Sequence, residues 1–299
     1  MEQSNVYKSG FISIVGCPNV GKSTLLNRLV GQKIAIVSGK AQTTRTRITG
    51  VVTRPGFQMV FLDTPGIIAP KNKLGEYMYR TAYAALGGVE AIVFMIDPTE
   101  GMRERDAAIV ERLKGARVPV IAVINKKDIA SAAQLKAAEA FLNAAGCFSH
   151  IAPISASLGD GVRQLEALLQ GYLTEGPQYF PEDMVTDQSE RLICAEFIRE
   201  KALELLREEV PHGIGVEIDK MGLRDAGGLT DIYATIYCER DKHKGIIIGK
   251  KGAMLKRIGQ EARRDMEWLL MTKVNLQLFV KARENWRNSA FALRELGYE

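Results

Sequence analysis

The segment at residues 16–23 constrains the fold more than any other part of the chain. Its sequence, Gly-Cys-Pro-Asn-Val-Gly-Lys-Ser, matches the pattern G-x-x-x-x-G-K-[ST]. The apolar run Phe11 to Val15 predicts a buried strand before it, and Ser23 to Leu29 predicts a helix after it. This strand–loop–helix order indicates a phosphate-binding loop in an α/β fold. A glycine-rich turn with a solvated lysine is the alternative, and the flanking elements disfavour it.

The residues of this loop have separate expected roles. Gly16 and Gly21 let backbone N–H groups point into one concavity, where the N-terminus of the helix adds partial positive charge. Lys22 is expected to reach the terminal phosphates of a nucleotide, and the Ser23 hydroxyl is expected to bind magnesium. The nucleotide contacts predicted here are Gly16, Cys17, Pro18, Asn19, Val20, Gly21, Lys22, Ser23 and Thr24.

Residues 63–66, Asp-Thr-Pro-Gly, follow another apolar run. The carboxylate of Asp63 is therefore expected at the carboxyl end of a strand beside the phosphate loop, where a magnesium shell needs an acid. Gly66 can bring its backbone N–H close to a terminal phosphate, and Thr64 and Pro65 are expected in the same site. Taken alone, this tetrapeptide would indicate an ordinary turn.

Residues 125–128, Asn-Lys-Lys-Asp, indicate which base the site accepts. A carboxylate at Asp128 can accept hydrogen bonds from the N1–H and 2-amino groups of guanine, and adenine has neither donor. Leaving that carboxylate unpaired would disfavour adenine by about 10³-fold or more. A backbone N–H in residues 155–157, Ser-Ala-Ser, could meet guanine O6. The predicted base contacts are Asn125, Lys126, Lys127, Asp128, Ser155 and Ala156.

Composition places the chain among globular proteins of two domains. Its 299 residues exceed one typical domain, and 46% hydrophobic with 25% charged residues is an ordinary balance. Four scattered cysteines without a C-x-x-C pair indicate neither a zinc site nor a disulfide framework, and favour a reducing compartment. No apolar run approaches the length of a membrane span, and the polar start lacks signal-peptide features. We therefore expect cytoplasmic residence.

The pattern of strands and helices changes after residue 176. Before it, helices are expected at about 74–87, 103–114, 131–145 and 160–172, and a hairpin near residues 54–56 would add one antiparallel edge strand. The stretch 177–189 contains two prolines without regular periodicity, which predicts a linker. We expect a doubly wound P-loop domain at 1–176 and a smaller α+β domain at 190–299.

The smaller domain contains Gly249-Lys250-Lys251-Gly252 between two predicted helices. Helices are expected at about 189–209, 253–270 and 284–296, and strands at about 214–220, 230–239 and 274–280. The two glycines would permit close approach to a nucleic-acid backbone, and the lysines would contact phosphates beside an apolar groove for bases. The predicted RNA contacts are Ile248, Gly249, Lys250, Lys251, Gly252, Lys256 and Arg257.

Positive charge in this domain is local. Residues 177–299 carry 20 basic and 21 acidic side chains, whereas residues 240–264 carry a net charge of +7. Such a patch favours a polyanion as the partner. A solvated turn is the alternative for the Gly-Lys-Lys-Gly segment taken alone.

These motifs resemble two known families. Residues 1–176 resemble the translation-factor-related group of Ras-like GTPases, and residues 190–299 resemble a type II KH domain. One such GTPase domain followed by one KH domain is the organisation of the Era family, and the resemblance covers nearly the whole chain. It implies magnesium-dependent hydrolysis of GTP to GDP and phosphate, binding near the 3′ end of small-subunit ribosomal RNA, and a role in maturing the small ribosomal subunit. It also implies peripheral contact with the inner face of the cell membrane, and we expect a monomer.

The resemblance also assigns roles to single residues. In Gln-Thr-Thr-Arg at residues 42–45, Thr44 matches the family threonine that binds magnesium, although Thr43 is one residue away. Thr44 joins Lys22 and Gly66 in the expected catalytic set. Ile67 stands where Ras has the glutamine that orients water, so the chain resembles the subgroup with a hydrophobic residue there.

Asn19 matches an asparagine with which several relatives bind potassium, a cation that can replace an arginine finger. A turn asparagine bonded to its own loop is an equal alternative. Two other functions also fit the chain. One is an RNA-binding module whose GTPase domain is a weakly active nucleotide sensor. The other is a membrane-surface GTPase, which would need the apolar stripe of the helix at 253–270 to be exposed.

Overall fold

The computed structural model describes residues 6–40, 42–224 and 228–298. The chain divides into two compact units. The second unit contains Ile36–Thr43, Pro70–Tyr77 and the chain from Gln188 onward, and the first contains the rest of the chain up to Asp187. Two short segments from the first half of the sequence are therefore part of the second unit.

The first unit is built on a mixed sheet with the strand order β2-β3-β1-β4-β5-β6, and β7 pairs with β1. Its strands are β1 (Lys8–Gly16), β2 (Ile48–Arg54), β3 (Phe57–Asp63), β4 (Ala91–Ile96), β5 (Val120–Ile124), β6 (His150–Pro153) and β7 (Thr174–Glu175). The helices of this part of the chain are α1 (Lys22–Val30), α2 (Lys73–Ala84), α3 (Glu104–Leu113), α4 (Ala132–Ala145) and α5 (Val162–Gln170). The doubly wound fold and its antiparallel edge strand β2 are confirmed.

Burial along the central strands explains where the site forms. Every residue of β4 and β5 is buried, as expected for parallel strands covered by helices on both faces. Strands β1, β3, β4 and β5 are parallel neighbours, so their carboxyl ends meet at one edge of the sheet. The segments that start at Gly16, Asp63 and Asn125 all leave the sheet at that edge, which is where α/β folds bind ligands.

Residues 177–187 pack within the first unit. The amide of the fully buried Gln58 accepts hydrogen bonds from the backbone N–H groups of Tyr179 and Phe180, at 2.9 and 3.0 Å, and donates to the Phe180 carbonyl. Farther along, Val51 N–H donates to the Val185 carbonyl at 2.8 Å. An irregular stretch with two prolines is thus held because partners in β2 and β3 satisfy its backbone.

Replacing Gln58 with Leu should lower the free energy of unfolding of the first unit by about 1–3 kcal/mol, because the N–H groups of Tyr179 and Phe180 lose their shared acceptor. Urea unfolding measures the change. Gln178→Ala is the matched control, because the exposed Gln178 side chain donates one hydrogen bond to the same segment, at the Phe180 carbonyl, and the variant loses only that bond. Equal stability of Gln58→Leu and wild type would show that Gln58 does not hold this segment.

The second unit contains a three-stranded sheet in the order β10-β9-β8. Strand β9 is antiparallel to β8 and parallel to β10. The elements are α6 (Glu190–Leu205), β8 (Gly215–Leu223), β9 (Leu229–Cys238), α7 (Asp241–Ile248), α8 (Ala253–Leu270), β10 (Lys273–Ala282) and α9 (Ala290–Glu295). The order of helices and strands predicted from the sequence is confirmed.

The last helix differs from its prediction at 284–296. A 3₁₀ turn, Trp286–Asn288, precedes α9, which begins only at Ala290. The indole of Trp286 is fully buried and its N–H donates to the Gly213 carbonyl at 2.9 Å. The turn thus contains a hydrogen bond to a residue 73 positions earlier in the sequence, and local periodicity cannot predict such a contact.

Helix α8 places its apolar stripe in the core of the second unit. Ile258, Ala262 and Met266 are fully buried there. The condition for the membrane-surface alternative, an exposed stripe, is therefore not met at these positions. Among the described residues, the structure contains no helix that is long and apolar enough to cross a membrane.

The segment Ile36–Thr43 is held within the second unit by α6 and its end. Ile36 is buried in the hydrophobic core of that unit. Val37 N–H donates to Glu200 Oε1 at 2.8 Å, and the buried guanidinium of Arg199 donates to the Thr43 carbonyl. The next residue, Thr44, belongs to the first unit.

Candidate nucleotide site and nucleic-acid interface

Lys22 is the first residue of α1 and is almost completely buried. Its ammonium group donates to the carbonyl oxygens of Gly16 and Cys17, at 3.2 and 2.9 Å. Burial lowers the pKa of Lys22, although the nearby Asp63 carboxylate opposes this effect. The loop thus curves around one lysine ammonium, which is the arrangement that phosphate binding requires.

The other side chains of the phosphate loop differ in exposure. Cys17 and Val20 are buried in the core of the first unit, so only their backbone groups are available to a nucleotide. Pro18 is half-buried, and Asn19 is exposed with a φ of 66°. Thr24 is half-buried in the first turn of α1. The loop therefore contributes mainly backbone groups.

Three side-chain oxygens meet at the start of α1. Ser23 Oγ lies 2.8 Å from Thr44 Oγ1 and donates to Asp63 Oδ2 at 2.6 Å. Thr43 is not part of this group, because its hydroxyl donates to the Lys40 carbonyl at 2.7 Å. Of the two threonines left open by the sequence, the structure brings Thr44 to Ser23.

This oxygen group fits magnesium. The Asp63 side chain is fully buried, and its second oxygen, Oδ1, has no hydrogen-bond partner among the described residues. Burial raises the pKa of Asp63 to about 6, although Lys22 and a hydrogen bond from Ser23 act in the opposite direction. A buried carboxylate with an unused oxygen beside two hydroxyls is a suitable donor set for a hard divalent cation.

The segment after Asp63 lies against the phosphate loop. A Cβ atom on Gly66 would fall 2.7 Å from the Cα of Pro18, so this approach requires glycine. The hydroxyl of the buried Thr64 donates to the Ile14 carbonyl at 2.9 Å, and Ile67 N–H donates to the Gly16 carbonyl at 3.1 Å. Thr64 is therefore a support for the segment.

Ile67 itself is buried in the core of the first unit. The neighbouring Pro65 is also buried. An aliphatic side chain cannot accept or donate a hydrogen bond, so the side chain of Ile67 cannot orient a water molecule. The site has no counterpart to the glutamine that Ras uses at this position.

Asn125 connects the phosphate loop to the loop at residues 155–157. Its buried side-chain amide donates to the Val20 carbonyl at 2.8 Å and accepts from Ala156 N–H at 2.9 Å. Gly21 packs so closely that a Cβ atom there would lie 2.1 Å from Asn125 Nδ2. Because its φ is 100°, Gly21 also has a backbone conformation that other residues rarely adopt.

Two ion pairs position the lysines that follow Asn125. Lys126 Nζ lies 2.5 Å from Asp97 Oδ2, and Lys127 Nζ lies 2.8 Å from Asp160 Oδ2. Asp97 follows β4, and hydrogen bonds from Lys126 and Thr99 hold its pKa below the usual value although burial opposes them.

Sequence analysis missed both acids, because only the parallel pairing of neighbouring strands places Asp97 near this motif. Asp128, the predicted base contact, is exposed. Ser155 is fully buried and its Oγ accepts from Leu158 N–H at 3.2 Å. Position 128 thus offers an accessible carboxylate, whereas Ser155 shapes its own loop.

The Gly-Lys-Lys-Gly segment forms the turn between α7 and α8. Gly249, with a φ of 72°, ends α7, and Gly252 N–H donates to the Gly249 carbonyl at 3.1 Å. Lys250 and Lys251 are exposed at the tip of this turn. Ile248 packs against the core of the second unit and so supports the turn from below.

A groove of about 430 Å³ opens beside this turn, within the second unit. Its lining residues are Gly252, Leu255, Lys256, Gly259, Gln260, Arg263, Leu276 and Leu278. Leucines from α8 and β10 line it together with polar side chains of α8, as a site for stacked or inserted bases needs.

Two of the polar lining residues, Gln260 and Arg263, were not predicted as contacts. Their spacing of four and seven residues from Lys256 places them on the same face of α8, and this is the signal that would have found them. The predicted contact Arg257 instead pairs with Glu261 at 2.9 Å.

The chain matches two families. Residues 11–126 match the family described as 50S ribosome-binding GTPase, and residues 209–287 match the KH domain family. GTPase Era from Clostridioides difficile (strain 630) is 50% identical over 294 residues, covering 98% of this chain and 99% of the relative. GTPase Era from Alkaliphilus oremlandii (strain OhILAs) is 51% identical over 293 residues, with the same coverage.

Two solved structures share the whole architecture. One is a crystal structure of Era in complex with MgGDPNP and nucleotides 1506–1542 of 16S ribosomal RNA, with a TM-score of 0.93, 45% identity, and coverage of 98% of this chain and 99% of that chain. The other is a variant of Aquifex aeolicus Era bound to GDP and aluminium fluoride, with a TM-score of 0.93, 45% identity, and coverage of 97% and 99%. The likeness therefore extends over both units of the chain.

Replacing Asp63 with Asn should stabilise the metal-free and nucleotide-free protein more at pH 7.5 than at pH 4.5. The folded pKa of about 6 lies above the value of about 3.9 expected for an unfolded Asp, so the folded state retains the proton longer. The free energy of unfolding of wild type should consequently fall by about 2 kcal/mol relative to that of the variant as pH rises through this interval. Urea unfolding at both pH values measures the difference. If the difference in free energy of unfolding between the two proteins were the same at both pH values, the raised pKa of Asp63 would be contradicted.

Replacing Asp128 with Asn should shift the base preference from guanine toward xanthine. An amide can donate a hydrogen bond to the 2-oxo group of xanthine, whereas the carboxylate suits the 2-amino group of guanine. Competition binding of GDP and XDP measures the ratio of their affinities. Asp160→Asn is the control, because Asp160 pairs with Lys127 and is not the predicted base contact. Full retention of guanine preference in Asp128→Asn would exclude Asp128 as the base-reading residue.

Proposed function

The chain belongs to the GTPase Era family, and on that premise we propose that it is a GTP-hydrolysing switch protein that binds small-subunit ribosomal RNA and assists maturation of the small ribosomal subunit. The observation that carries the proposal is the convergence of Lys22, Ser23, Thr44 and Asp63 at one end of α1, in a chain that also has the α8 groove. The Era structure with MgGDPNP and 16S ribosomal RNA supports both halves of the proposal.

Hydrolysis is proposed to depend on charge stabilisation and positioning. Magnesium, held by Ser23, Thr44 and Asp63, would neutralise charge on the phosphates. The Lys22 ammonium would do the same from the phosphate loop, and Gly66 would present its backbone N–H to the terminal phosphate. Because Ile67 cannot act on water, turnover by the isolated protein should be slow. The aliphatic side chain of Ile67 also favours the second candidate, an RNA-binding protein in which nucleotide acts mainly as a signal.

Potassium is proposed as a further cofactor. Asn19 is exposed at the phosphate loop, with a backbone φ of 66°. A cation beside the transferred phosphate would add positive charge where no side-chain general base acts. The family resemblance of Asn19 motivates this proposal.

RNA is proposed to bind the turn between α7 and α8 and the adjoining groove. Lys250 and Lys251 would contact phosphates, and Gly249 and Gly252 would admit the RNA backbone. Unstacked bases would enter the groove between α8 and β10, where Lys256 and Arg263 supply charge and the leucines supply apolar surface. We propose the 3′ end of small-subunit ribosomal RNA as the ligand.

The nucleotide is proposed to control RNA affinity through residues 36–44. Thr44 would bind magnesium in the GTP state, and it is joined directly to the segment Ile36–Thr43, which packs within the second unit. A change in the position of Thr44 would therefore pull on a segment held by Arg199 and Glu200 of α6. This connection supports coupling between the two ligands.

The cellular setting is proposed from the family resemblance alone. We infer that the protein acts as a monomer in the cytoplasm and makes peripheral contact with the inner face of the cell membrane. The burial of the α8 stripe favours ribosomal RNA over a membrane as the main partner of the second unit.

Replacing sodium with potassium should accelerate GTP hydrolysis by wild type, and Asn19→Ala should remove most of that acceleration. The reason is that the amide oxygen of Asn19 would hold the cation beside the phosphates. Phosphate release measured in both salts at equal ionic strength gives the ratio of the hydrolysis rate in potassium to the rate in sodium. Lys22→Ala is the control, since it should hydrolyse GTP in neither salt. Equal wild-type rates in the two salts would eliminate potassium as a cofactor.

Replacing both Lys250 and Lys251 with Asp should weaken binding of single-stranded RNA from the 3′ end by at least tenfold and reduce its dependence on salt, because two phosphate contacts are lost. Filter binding at several salt concentrations measures both effects. The control is Lys220→Asp with Lys273→Asp, which changes net charge equally at exposed positions away from the turn. Unaltered RNA affinity in the first double variant would refute the assignment of this turn.

A further inference from the structure

Arg28 connects the phosphate-loop helix to the loop that is expected to read the base. It lies in the last turn of α1, and its Nε donates to the Ala156 carbonyl at 3.3 Å. Its guanidinium also donates to the Ser157 carbonyl. A Cβ atom on Gly159 would lie 3.7 Å from Arg28 Cδ, so the loop packs against the arginine stem.

Other hydrogen bonds hold the same loop at its neighbouring peptide groups. Ala156 N–H donates to Asn125 Oδ1 at 2.9 Å, and Leu158 N–H donates to Ser155 Oγ at 3.2 Å. Ser155 N–H donates to the Asp160 carbonyl at 2.8 Å, which closes the loop on itself. Within this set, Arg28 is the side chain that holds the carbonyl of Ala156.

A trans peptide group is planar, so its N–H points opposite to its C=O. The hydrogen bond from Arg28 to the Ala156 carbonyl therefore fixes the direction of Ser157 N–H, on the face away from Arg28. We propose that Arg28 is a positioning residue for guanine selectivity, which orients the backbone N–H of Ser157 toward position 6 of the base. The inference deepens the proposed GTP site and rests on it.

The chemistry of arginine suits this role. Its planar guanidinium presents several donors in a fixed geometry and can hold two carbonyl groups at once, whereas the ammonium of lysine is a compact point charge. Arg28 is exposed, and replacing an exposed side chain costs little global stability. An effect of its replacement on base selectivity would therefore come from the loop it holds.

The test compares the affinities of three diphosphates by isothermal titration calorimetry. GDP is the reference, 6-thio-GDP replaces O6 with the poorer acceptor sulfur, and IDP lacks the 2-amino group that Asp128 is expected to read. The proteins are wild type, Arg28→Gln, Arg28→Lys, and the control Arg163→Gln, which changes an exposed arginine of α5.

Wild type should prefer GDP over both analogues. Arg28→Gln should reduce the preference for GDP over 6-thio-GDP by about fivefold, the effect of one poorly oriented hydrogen bond, and leave the preference for GDP over IDP unchanged. The preference of Arg28→Lys for GDP over 6-thio-GDP should fall between those of wild type and Arg28→Gln. The preference of Arg163→Gln should equal that of wild type.

An Arg28→Gln protein with an unchanged ratio of GDP to 6-thio-GDP affinity would overturn the inference. An equal loss of affinity for all three ligands would also overturn it, because that result indicates a general structural role. If wild type itself did not prefer GDP over IDP, the proposed GTP site would fail, and this outcome is distinct from a failure confined to Arg28.

Discussion

The proposed magnesium site and its coupling to the second unit both depend on the contact among Ser23, Thr44 and Asp63. Ser23 is the second residue of the helix that follows the phosphate loop, Asp63 ends β3, and Thr44 is joined to a segment of the second unit. Their oxygens lie within 2.6–2.8 Å of the Ser23 hydroxyl. A buried carboxylate placed here costs stability in the absence of a cation, because burial disfavours its charged form. The fold thus retains an unfavourable group at a position where metal binding would relieve it.

The motifs of the candidate nucleotide site could be recognised in the sequence, because each motif is contiguous and follows an apolar strand. Parallel pairing of β1 with β3 and β4, and of β4 with β5, then brings the strand ends together without further information. Contacts between residues far apart in sequence could not be predicted in this way. Gln58 binds Tyr179 and Phe180, which are separated from it by 121 and 122 positions in the sequence. Asp97 pairs with Lys126 because their strands are neighbours in the sheet. Neither contact leaves a local pattern.

In the second unit, too, local features could be predicted from the sequence and contacts between distant residues could not. The order of its elements and the Gly-Lys-Lys-Gly turn follow from local periodicity, whereas the groove depends on which face of α8 meets β10. The segment Ile36–Thr43 is the clearest case, since its sequence lies between two elements of the first unit. Its partners, Arg199 and Glu200, are more than 150 residues away. Because this segment packs within the second unit and continues directly into Thr44, the proposed magnesium ligand, it offers a physical route for the proposed coupling between nucleotide and RNA.

The most direct test is the affinity of wild type for single-stranded RNA from the 3′ end, measured with a non-hydrolysable GTP analogue and again with GDP at the same salt and magnesium concentrations. RNA should bind more tightly with the GTP analogue, by roughly 5–150-fold, the range typical of coupling between two sites. Reciprocity requires RNA to raise the affinity for the analogue relative to GDP by the same factor. Identical RNA affinity in the two nucleotide states would contradict the coupling.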